Sequence, residues 1–473
     1  MTSSLHSARV AAHFDALAAD VPRWRERNRY YHSDVSRYMR YLCGAGLRVL
    51  ELGSGTGELL DALEPSYGVG IDISHGMVEH AQHKYPHLQF RVGDAQDLSA
   101  QPDELFDIII LSDLVGYLDD VQSCMQQVHR FYHGETRLLI NNYSFVWEPV
   151  LVLAEKFGLK MPNPMQSWLS PGDLHNLLTL TDFQWVKTER RLLLPVQIPL
   201  LSALVNNIAS LPVVNALCLS NYMVARALPA PVEKSASVTV VIPCRNERGN
   251  IADAITRMPI FGSHLEIIFV EGNSKDDTVD EIKRVIALHP DKDIKLMIQT
   301  GKGKGDAVRM GYAAATGDIL MILDADLTVP PEDLPRFYRA LVQNKAEFLN
   351  GSRLVYPMED EAMRVLNLIA NKFFALAFSW LLGQRLKDTL CGTKVMWRKD
   401  YEKLAANRGY FGDFDPFGDF DLLFGASKLN LKLLEIPIRY RARTYGETQI
   451  SRFRHGILLL RMTVYAWRKL KAP

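Results

Sequence analysis

The sequence has no excess of charge, and this limits the partners that it can attract. Its 473 residues include 54 basic and 54 acidic side chains, which give a formal net charge of zero at pH 7. Proteins that hold nucleic acid through its phosphates usually carry a basic surface. The composition therefore predicts no nucleic-acid partner and leaves only local attraction to charge.

Cysteine is scarce as well. The chain has five cysteines, without CxxC spacing or a regular framework. Scattered cysteines favour a reducing compartment over an oxidising one and argue against a zinc site. The N-terminus lacks an apolar run after a basic start, so the sequence predicts no signal peptide and a cytoplasmic protein.

Long hydrophobic runs are also missing. A membrane span needs about 20 apolar residues, and only residues 192–225 and 366–382 come close. The first run has no charge but contains three prolines, which argue against a spanning helix; it is expected either to cover an acceptor site or to pack on a second domain. The second contains Asn371 and Lys372, which favours a helix in the membrane interface over a core helix. The basic and aromatic tail, 452–471, suits an anionic membrane surface.

Strand-like segments alternate with helical patterns in two successive series, a rhythm typical of mostly parallel sheets with crossover helices. Residues 229–236, rich in proline, alanine and serine, predict a linker between them. The sequence therefore predicts an α/β protein with two domains, 1–228 and 237–473, each a mostly parallel sheet with flanking helices. The predicted strands are 48–52, 68–73, 89–92, 106–112, 137–141, 183–193 and 221–226 in the first series, and 238–243, 266–271, 295–299, 318–324 and 347–350 in the second.

A glycine-rich turn follows the first predicted strand, in E-L-G-S-G-T-G. Glycine lets the backbone approach a ligand, and the helix that follows presents free N–H groups. Asp72 ends the second strand, where an acidic side chain can bind ribose hydroxyls. A dinucleotide dehydrogenase would look similar to this point. Asp94, after the third strand, is placed to meet an adenine amino group, for which a nicotinamide enzyme has no matching need.

Together with G-I-D-I-S-x-G-M, G-D-A-Q-D-L and F-D-I-I-I-L-S-D, this turn resembles the motifs of class I S-adenosylmethionine-dependent methyltransferases over roughly residues 25–228. The resemblance implies a Rossmann-like fold and S-adenosylmethionine as cofactor. Asp113 would lie beside the methyl group, and no residue stands out as a base because alignment supplies much of the rate. Tyr30, Tyr31 and His32 either close over the cofactor or serve as packing. The implied cofactor-binding residues are Glu51, Gly53, Gly55, Gly57, Asp72, Asp94, Ala95 and Ser112.

In the second series, polar side chains again follow apolar strands. A basic, glycine-rich loop, 301–309, precedes a strand that ends in Asp324 and Asp326. Two aspartates separated by one residue suit a hard divalent cation bridging a diphosphate. A turn with helix capping is the plainer interpretation of the same pattern.

The motifs P-C-R-N-E, G-K-G-x-G-D-A, D-A-D, G-S-R, D-T-L-C-G-T-K and R-T-Y-G-E-T occur in the order of glycosyltransferase family 2, and most resemble the dolichol-phosphate mannose synthase-like enzymes over roughly residues 237–455. The resemblance implies a GT-A fold, a nucleotide-diphospho-sugar donor, and Mg²⁺ or Mn²⁺ held by Asp324 and Asp326. The implied nucleotide-sugar-binding residues are Pro243, Arg245, Glu247, Glu271, Lys304, Asp306, Asp324 and Ala325. Two departures from the family, Glu271-Gly-Asn-Ser274 and Thr328, put base choice and metal geometry in doubt.

The chemistry at this second site depends on the acceptor. By resemblance, Arg353 and Arg364 hold the acceptor phosphate or the leaving diphosphate, and Lys394 assists. A lipid phosphate is already anionic and needs no base, whereas a hydroxyl does need one. The first candidate for that base is Asp388, followed by Asp419 and Asp421; Asp413 and Asp415 either belong to the site or cap a loop.

The sequence therefore predicts a bifunctional enzyme, peripheral on the cytoplasmic face of the membrane. It would transfer a sugar to polyprenyl phosphate or a related lipid-linked acceptor and methylate in the same glycan pathway. Two alternatives keep both folds: the acceptor is a soluble or glycan hydroxyl, or the methyltransferase-like domain is a non-catalytic adaptor.

Overall fold

The structure is a computed structural model that describes residues 5–163, 166–228, 235–353, 365–410, 420–438, 445 and 452–471, without the side chains of 365–372 and 452–457. The chain divides into two compact units, residues 1–229 and 230–471. This division falls within the segment that the sequence analysis assigns to a linker.

Unit 1 is a seven-stranded sheet with helices around it. The strand order is β3-β2-β1-β4-β5-β7-β6. β7 is antiparallel to both β5 and β6, and the other neighbouring strands are parallel to each other. The elements are α1 (Leu5–Leu17), α2 (Val21–Arg27), α3 (Arg29–Cys43), β1 (Arg48–Leu52), α4 (Glu58–Ala62), β2 (Tyr67–Asp72), α5 (His75–Lys84), β3 (Gln89–Val92), β4 (Phe106–Ser112), α6 (Val121–Val128), β5 (Tyr132–Tyr143), α7 (Glu148–Lys156), α8 (Pro171–Leu180), β6 (Phe183–Arg191), α9 (Leu201–Ala209) and β7 (Ser220–Ala227).

Unit 2 is a second seven-stranded sheet. Its order is β10-β9-β8-β11-β13-β12-β14, with β13 antiparallel to both neighbours. The elements are β8 (Val238–Cys244), α10 (Arg248–Thr256), β9 (Leu265–Glu271), α11 (Thr278–Leu288), β10 (Asp293–Ile298), α12 (Lys304–Ala314), β11 (Ile319–Ile322), α13 (Leu334–Val342), β12 (Phe348–Ser352), α14 (Val365–Leu382), β13 (Lys394–Trp397), α15 (Arg398–Ala406), α16 (Phe420–Lys428), β14 (Leu433–Pro437) and α17 (Arg452–Leu470).

The central strands are buried on both faces, as parallel sheets covered by helices require. In β1, Val49 packs in one core cluster while Leu50 and Leu52 pack in another, which is the alternation expected along a strand. The apolar runs that predicted these strands are explained by this double burial. The predicted α/β class with two mostly parallel sheets is confirmed.

Strand order reverses once in each sheet, between β1 and β4 in unit 1 and between β8 and β11 in unit 2. Crevices form beyond the carboxyl ends of strands at such a reversal and commonly hold ligands. The predicted site residues follow these strand ends. Sequence analysis missed β13, a four-residue strand that pairs with β11 and β12, and it missed β14, which ends in a proline. Within the described part of the chain, no helix combines the length and the apolar content that crossing a membrane requires.

Candidate active sites

The glycine-rich turn of unit 1 runs from the end of β1 into α4. Gly53, Gly55 and Gly57 all have positive φ, at 72°, 51° and 84°, a backbone conformation that glycine adopts without a steric penalty. A Cβ on Gly57 would lie 2.6 Å from the ring of Phe90. The tight turn therefore depends on glycine, both for conformation and for space.

Asp72 fastens this turn to β2. Its Oδ2 accepts a hydrogen bond from the Gly55 amide at 2.8 Å, and its Oδ1 accepts one from the Ser74 amide at 2.9 Å. Burial raises the pKa of Asp72, and the two amide donors oppose that effect. The carboxylate is thus oriented by backbone donors at the carboxyl end of β2.

A cavity of about 510 Å³ lies beside the turn. Of the eight predicted cofactor residues, Gly57 does not line it and instead serves the turn. The seven that line the cavity are Glu51, Gly53, Gly55, Asp72, Asp94, Ala95 and Ser112.

Three buried oxygens of residues that line this cavity have no hydrogen-bond partner among the described residues: Oε2 of Glu51, Oγ of Ser54 and Oδ1 of Asn163. Glu51 is only 2% exposed, and burial raises its pKa to about 8. An acid in this condition is suited to receive a cationic hydrogen-bond donor. The amino-acid part of S-adenosylmethionine has an ammonium group, so the residues present fit that cofactor.

The adenine-side residues lie on the loop after β3. Asp94 Oδ1 accepts hydrogen bonds from the Gln96 amide at 2.9 Å and from Gln96 Nε2 at 3.2 Å, and Ala95 is buried. The loop is therefore held by its own side chains in a fixed conformation at the cavity wall.

Helices that precede the glycine-rich turn also line the cavity, and sequence analysis missed most of them. Val10 and Phe14 come from α1, and Trp24 from α2. The apolar spacing of four between Val10 and Phe14 was the available signal. Tyr31 and His32 line the cavity, and Tyr31 also belongs to a buried core cluster, so both interpretations of this segment stay predictions. Burial lowers the pKa of His32 to about 3.

In unit 2, the ends of β8 and β9 are bound to each other. The Asn246 amide donates to Ser274 Oγ at 2.8 Å, and the Lys275 amide donates to Asn246 Oδ1 at 2.7 Å. Glu271 is 2% exposed and accepts a hydrogen bond from the Ser274 amide at 2.5 Å. The predicted nucleotide residues Pro243, Arg245, Glu247 and Glu271 therefore lie at or just beyond the paired ends of β8 and β9.

Positive side chains gather around Asp324. Lys304 Nζ lies 2.6 Å from Asp324 Oδ1. Burial opposes ionisation of Asp324, but Lys304, Lys394 and Arg353 together hold its pKa below the usual value. A Cβ on Gly392 would overlap both Asp324 Oδ2 and Lys304 Nζ. Three cations and a close backbone segment thus surround one carboxylate.

Asp306, Ala325 and Asp326 were also predicted to bind the nucleotide sugar or the metal ion, and both aspartates accept hydrogen bonds from nearby residues. Asp306 Oδ2 accepts a hydrogen bond from Gln299 Nε2 at 2.9 Å, which ties α12 to the loop before it. Ala325 is buried. Asp326 Oδ1 accepts hydrogen bonds from the Thr328 amide at 3.1 Å and from its hydroxyl at 2.8 Å. These bonds orient the carboxylate. They are compatible both with a structural turn and with a metal ligand.

Asp324 and Asp326 fit a divalent metal ion by the chemistry of their oxygens. Among the described residues there is no group of three or more histidine, cysteine, aspartate or glutamate side chains that would hold a metal by itself. Mg²⁺ is commonly bound by one or two carboxylates, with substrate phosphate and water supplying the other ligands. Two aspartates are enough for that kind of site.

Arg353 forms a bidentate ion pair with Asp388. Arg353 Nε lies 2.7 Å from Asp388 Oδ2, and Nη2 lies 2.8 Å from Oδ1. Burial disfavours the charged form of Asp388, yet the guanidinium lowers its pKa overall. The amide of Asp388 donates to Glu435 Oε1 at 3.0 Å, and Asn350 Nδ2 donates to the Asp388 carbonyl at 2.7 Å. This geometry favours Asp388 as the group that orients Arg353 and not as a proton acceptor.

Of the other predicted catalytic residues, Lys394 belongs to the cluster around Asp324, Asp421 lies on a separate helix, and the rest fall outside the described residues. Lys394 is fully buried at the start of β13, and its Nζ donates to the Cys391 carbonyl. Asp421, on α16, lies 3.6 Å from Arg408 Nε. Arg364, Asp413, Asp415 and Asp419 lie outside the described residues.

Curated relatives match the second unit. A dolichol-phosphate mannosyltransferase of Pyrococcus furiosus is 34% identical over 221 residues, which is 45% of this chain and 59% of the relative. An undecaprenyl-phosphate 4-deoxy-4-formamido-L-arabinose transferase of Klebsiella pneumoniae is 30% identical over 225 residues, 47% of this chain and 64% of the relative. The chain thus spans about three fifths of the length of these relatives.

Solved structures resemble each unit at low identity. A SAM-dependent methyltransferase from Thermotoga maritima is 17% identical, with 46% of this chain and 98% of that one covered and a TM-score of 0.35. Glucosyl-3-phosphoglycerate synthase from Mycobacterium tuberculosis is 20% identical, with 50% and 81% covered and a TM-score of 0.38.

Family models match both units. Residues 50–140 match the methyltransferase domain model, and residues 239–405 match the glycosyl transferase family 2 model. The first match contains the glycine-rich turn and Asp72, and the second contains Asp324, Arg353 and Asp388. The chain therefore contains a region similar to methyltransferase domains, followed by a region similar to family 2 glycosyl transferases.

Proposed function

We propose that this protein is a bifunctional enzyme. Unit 2 transfers a sugar from a nucleotide diphosphate to polyprenyl phosphate or a related lipid-linked acceptor, in a metal-dependent reaction. Unit 1 carries out S-adenosylmethionine-dependent methylation in the same glycan pathway. The observation that carries the sugar-transfer proposal is the cluster of Lys304, Lys394 and Arg353 around Asp324.

The charge of this cluster suits two phosphate-bearing substrates. A nucleotide-diphospho-sugar brings a diphosphate, and a bound Mg²⁺ or Mn²⁺ would neutralise the charge that develops on it as it leaves. Asp324 and Asp326 would hold that ion. Lys304, Lys394 and Arg353 supply fixed positive charge to the remaining phosphate oxygens, which is the kind of preorganised electrostatics that lowers barriers.

The state of Asp388 supports a phosphate acceptor over a hydroxyl. A general base must accept a proton, but both oxygens of Asp388 already accept from Arg353, and its pKa is held low. A lipid phosphate needs no such base: its anionic oxygen forms the bond to the anomeric carbon, and the nucleoside diphosphate leaves with the electron pair of the broken bond. In this proposal Arg353, oriented by Asp388, adds positive charge beside the acceptor phosphate.

Exposed apolar side chains on two helices support the proposed position at a membrane surface. On α14, Phe373 is 55% and Leu376 is 74% exposed, and on α17, which packs against α14, Leu460 and Val464 are 48% and 50% exposed. Large apolar side chains in this number suit a lipid interface. A peripheral enzyme with such a surface could take a lipid-linked acceptor directly from the bilayer.

Labelled sugar transfer tests the proposal for unit 2. The full-length protein is incubated with Mn²⁺ and radiolabelled GDP-mannose, UDP-glucose or UDP-N-acetylglucosamine, with undecaprenyl phosphate or undecaprenol in parallel. We expect label in the lipid phase only with the phosphate, and a loss of at least about tenfold in kcat/KM for Lys304→Ala. Lys283→Ala, an exposed lysine on α11, is the matched control and should keep full activity. Transfer to undecaprenol but not to its phosphate would contradict the proposal.

A second measurement tests the link between the two activities. Lipid extracts are incubated with the protein, the sugar nucleotide and S-adenosylmethionine, and the glycolipid products are examined by mass spectrometry. The shared pathway predicts a glycolipid that gains one methyl group only when S-adenosylmethionine is present. Methylation confined to compounds without the transferred sugar would contradict the shared pathway.

A further inference from the structure

Asp113 is a carboxylate in the cavity of unit 1 to which the cofactor assignment gives no chemical role. It follows β4 directly and lines the same cavity as Glu51 and Asp72. Its φ is +51°, in the left-handed region that side chains other than glycine occupy at an energetic cost. The Asp113 amide donates to the Asn141 carbonyl at 3.0 Å, so the end of β5 maintains this conformation.

Neutral groups donate to the Asp113 carboxylate. The Tyr31 hydroxyl donates to Oδ2 at 2.7 Å, and the Asn141 side-chain amide is 3.2 Å from Oδ1. Neither donor carries a charge, so these contacts orient the carboxylate without neutralising it. The titratable and charged groups that face Asp113 are Tyr31, Tyr117, Tyr143, Tyr222, Lys160 and Arg25.

The ionisation of Asp113 suits proton transfer near neutral pH. Burial raises its pKa to about 6, while the Tyr31 hydrogen bond and the charges of Lys160 and Arg25 oppose the rise. A general base is most effective when its pKa lies near the working pH. At pH 7 most Asp113 side chains are ionised and able to accept a proton.

Part of the cavity wall is aromatic and aliphatic. Trp24, Tyr143, Trp147 and Leu151 line it. Val196, in the charge-free segment after β6, also lines the cavity and is 51% exposed, so the apolar wall continues to the outer surface. Such a wall suits a substrate with an apolar body.

We propose that Asp113, oriented by Tyr31, accepts the proton released in methyl transfer, and that the methyl acceptor is a neutral hydroxyl or amine carried on an apolar body. The proposal rests on the methyltransferase activity proposed above. The acceptor oxygen or nitrogen forms a bond to the methyl carbon, and the carbon–sulfur bond breaks with its electron pair going to sulfur. The acceptor's proton passes to the Asp113 carboxylate. An anionic acceptor atom has no proton to pass to Asp113 and would meet the like charge of that carboxylate, although the cations Lys160 and Arg25 also face Asp113.

Binding of simple probes tests the acceptor class. The full chain, saturated with S-adenosylhomocysteine, is titrated with hexanol, hexylamine or hexanoate at pH 7, and the fluorescence of Trp24 and Trp147 reports binding in the cavity. We expect hexanoate to bind at least about tenfold more weakly than hexanol, as like charges in a cavity repel. Asp113→Asn should reduce this difference to less than about threefold. Equal affinity for hexanol and hexanoate in the wild-type protein, or binding of none of the three probes, overturns the acceptor class.

Turnover tests the proton acceptor. Transfer of tritiated methyl from S-adenosylmethionine to organic and aqueous extracts of the source cells is followed against pH. The wild-type rate should rise with pH through a midpoint of about 6, and Asp113→Asn should lower the plateau at least about 100-fold. Tyr31→Phe keeps the carboxylate but removes a hydrogen bond that favours its ionised form, so the midpoint should move to higher pH. Asp113→Asn with a rate within about threefold of the wild type overturns the role of Asp113.

A matched variant and a binding measurement distinguish the loss of a proton acceptor from the loss of the cofactor site. Tyr132→Phe removes another buried tyrosine hydroxyl of unit 1, outside the cavity, and should leave both rate and midpoint unchanged. Calorimetry with S-adenosylhomocysteine checks that each variant keeps the cofactor site. No binding to the wild-type protein overturns the methyltransferase proposal itself, whereas binding without label transfer to any extract fraction overturns Asp113 as the proton acceptor of a catalytic site.

Discussion

Glu51 gives the most direct test of the cofactor site, because its protonation is linked to binding. In the free protein, burial raises its pKa to about 8, so at pH 7 about nine tenths of the molecules carry a neutral acid there. A ligand ammonium group placed against Glu51 favours the ionised form. Binding of S-adenosylmethionine at pH 7 should therefore release about 0.9 proton from the protein.

The same argument sets the pH dependence of affinity. With a pKa of about 8, the ionised fraction of Glu51 rises about ninefold between pH 6 and pH 7, and Kd should fall by the same factor. The α-amino group of the ligand has a pKa of roughly 7.7–8.0 and stays mostly protonated over this window.

Stability should change in the opposite sense. The pKa of Glu51 is raised from 4.5 to about 8 on folding, so the folded protein binds the proton more tightly than the unfolded chain. Its contribution to stability is therefore lost as pH rises from the lower to the higher value. Glu51→Gln, neutral throughout, should raise Tm at pH 7 while it weakens cofactor binding.

Calorimetric titration with S-adenosylhomocysteine measures both effects. Titrations at pH 6 and 7, in buffers of different ionisation enthalpy, give Kd and the number of protons released. Glu51→Gln should remove the proton release, and Glu79→Gln, an exposed glutamate on α5, should not. 5′-Methylthioadenosine, which lacks the ammonium group, should show no pH dependence. Equal Kd at the two pH values, together with unchanged binding to Glu51→Gln, would refute the reasoning.

Three further predictions concern unit 2. Asp388→Asn and Arg353→Lys should each lower kcat/KM for sugar transfer by roughly tenfold or more. The double variant should lose little beyond either single variant, because the two side chains act as a unit. A complete loss of activity in Asp388→Asn, together with near-normal activity in Arg353→Lys, would indicate that Asp388 is a base instead. Gly392→Ala should weaken donor binding, since its Cβ would overlap Asp324 Oδ2; unchanged Kd for the nucleotide sugar, measured calorimetrically, would count against this. Asp324→Asn and Asp326→Asn should each raise the Mn²⁺ concentration needed for half-maximal transfer, and removal of metal with EDTA should stop the wild-type reaction; a rate insensitive to EDTA would exclude the proposed metal site.

Much of the fold could be predicted from the sequence, because its strongest signals are local. Four of the early strands are buried on both faces, so their apolar runs are continuous, and β1, β3 and β4 have the predicted bounds. The carboxyl ends of those strands then fix where Glu51, Asp72 and Asp94 meet. Length alone does not explain the missed strand, because β3 is as short as β13 and was predicted. β13 pairs antiparallel with β11 and β12, which lie far from it in the chain.

The contributions of α1 and α2 to the cavity also escaped prediction. These helices come before the motifs, and α1 has few features that set it apart from a surface helix. What brings α1 to the site is a pair of long-range contacts: Asp15 accepts hydrogen bonds from Ser74 Oγ at 2.6 Å and from the Gly76 amide at 2.9 Å. A single aspartate in a polar helix face gives no sign of such a partner in the sequence.

The roles of the acids were the hardest to predict, because the partner of each carboxylate comes from elsewhere in the fold. Asp72 and Asp113 both stand at the carboxyl ends of strands, and Asp388 lies in a motif between two elements. Yet Asp72 accepts from two backbone amides, Asp388 from the guanidinium of Arg353, and Asp113 from an uncharged hydroxyl. The guanidinium of Arg353 lowers the pKa of Asp388 against the effect of burial, whereas burial raises the pKa of Asp113 to about 6 even though the Tyr31 hydroxyl opposes it. Local sequence therefore indicates where an acid lies, and the partner that tertiary structure supplies decides whether it can exchange a proton.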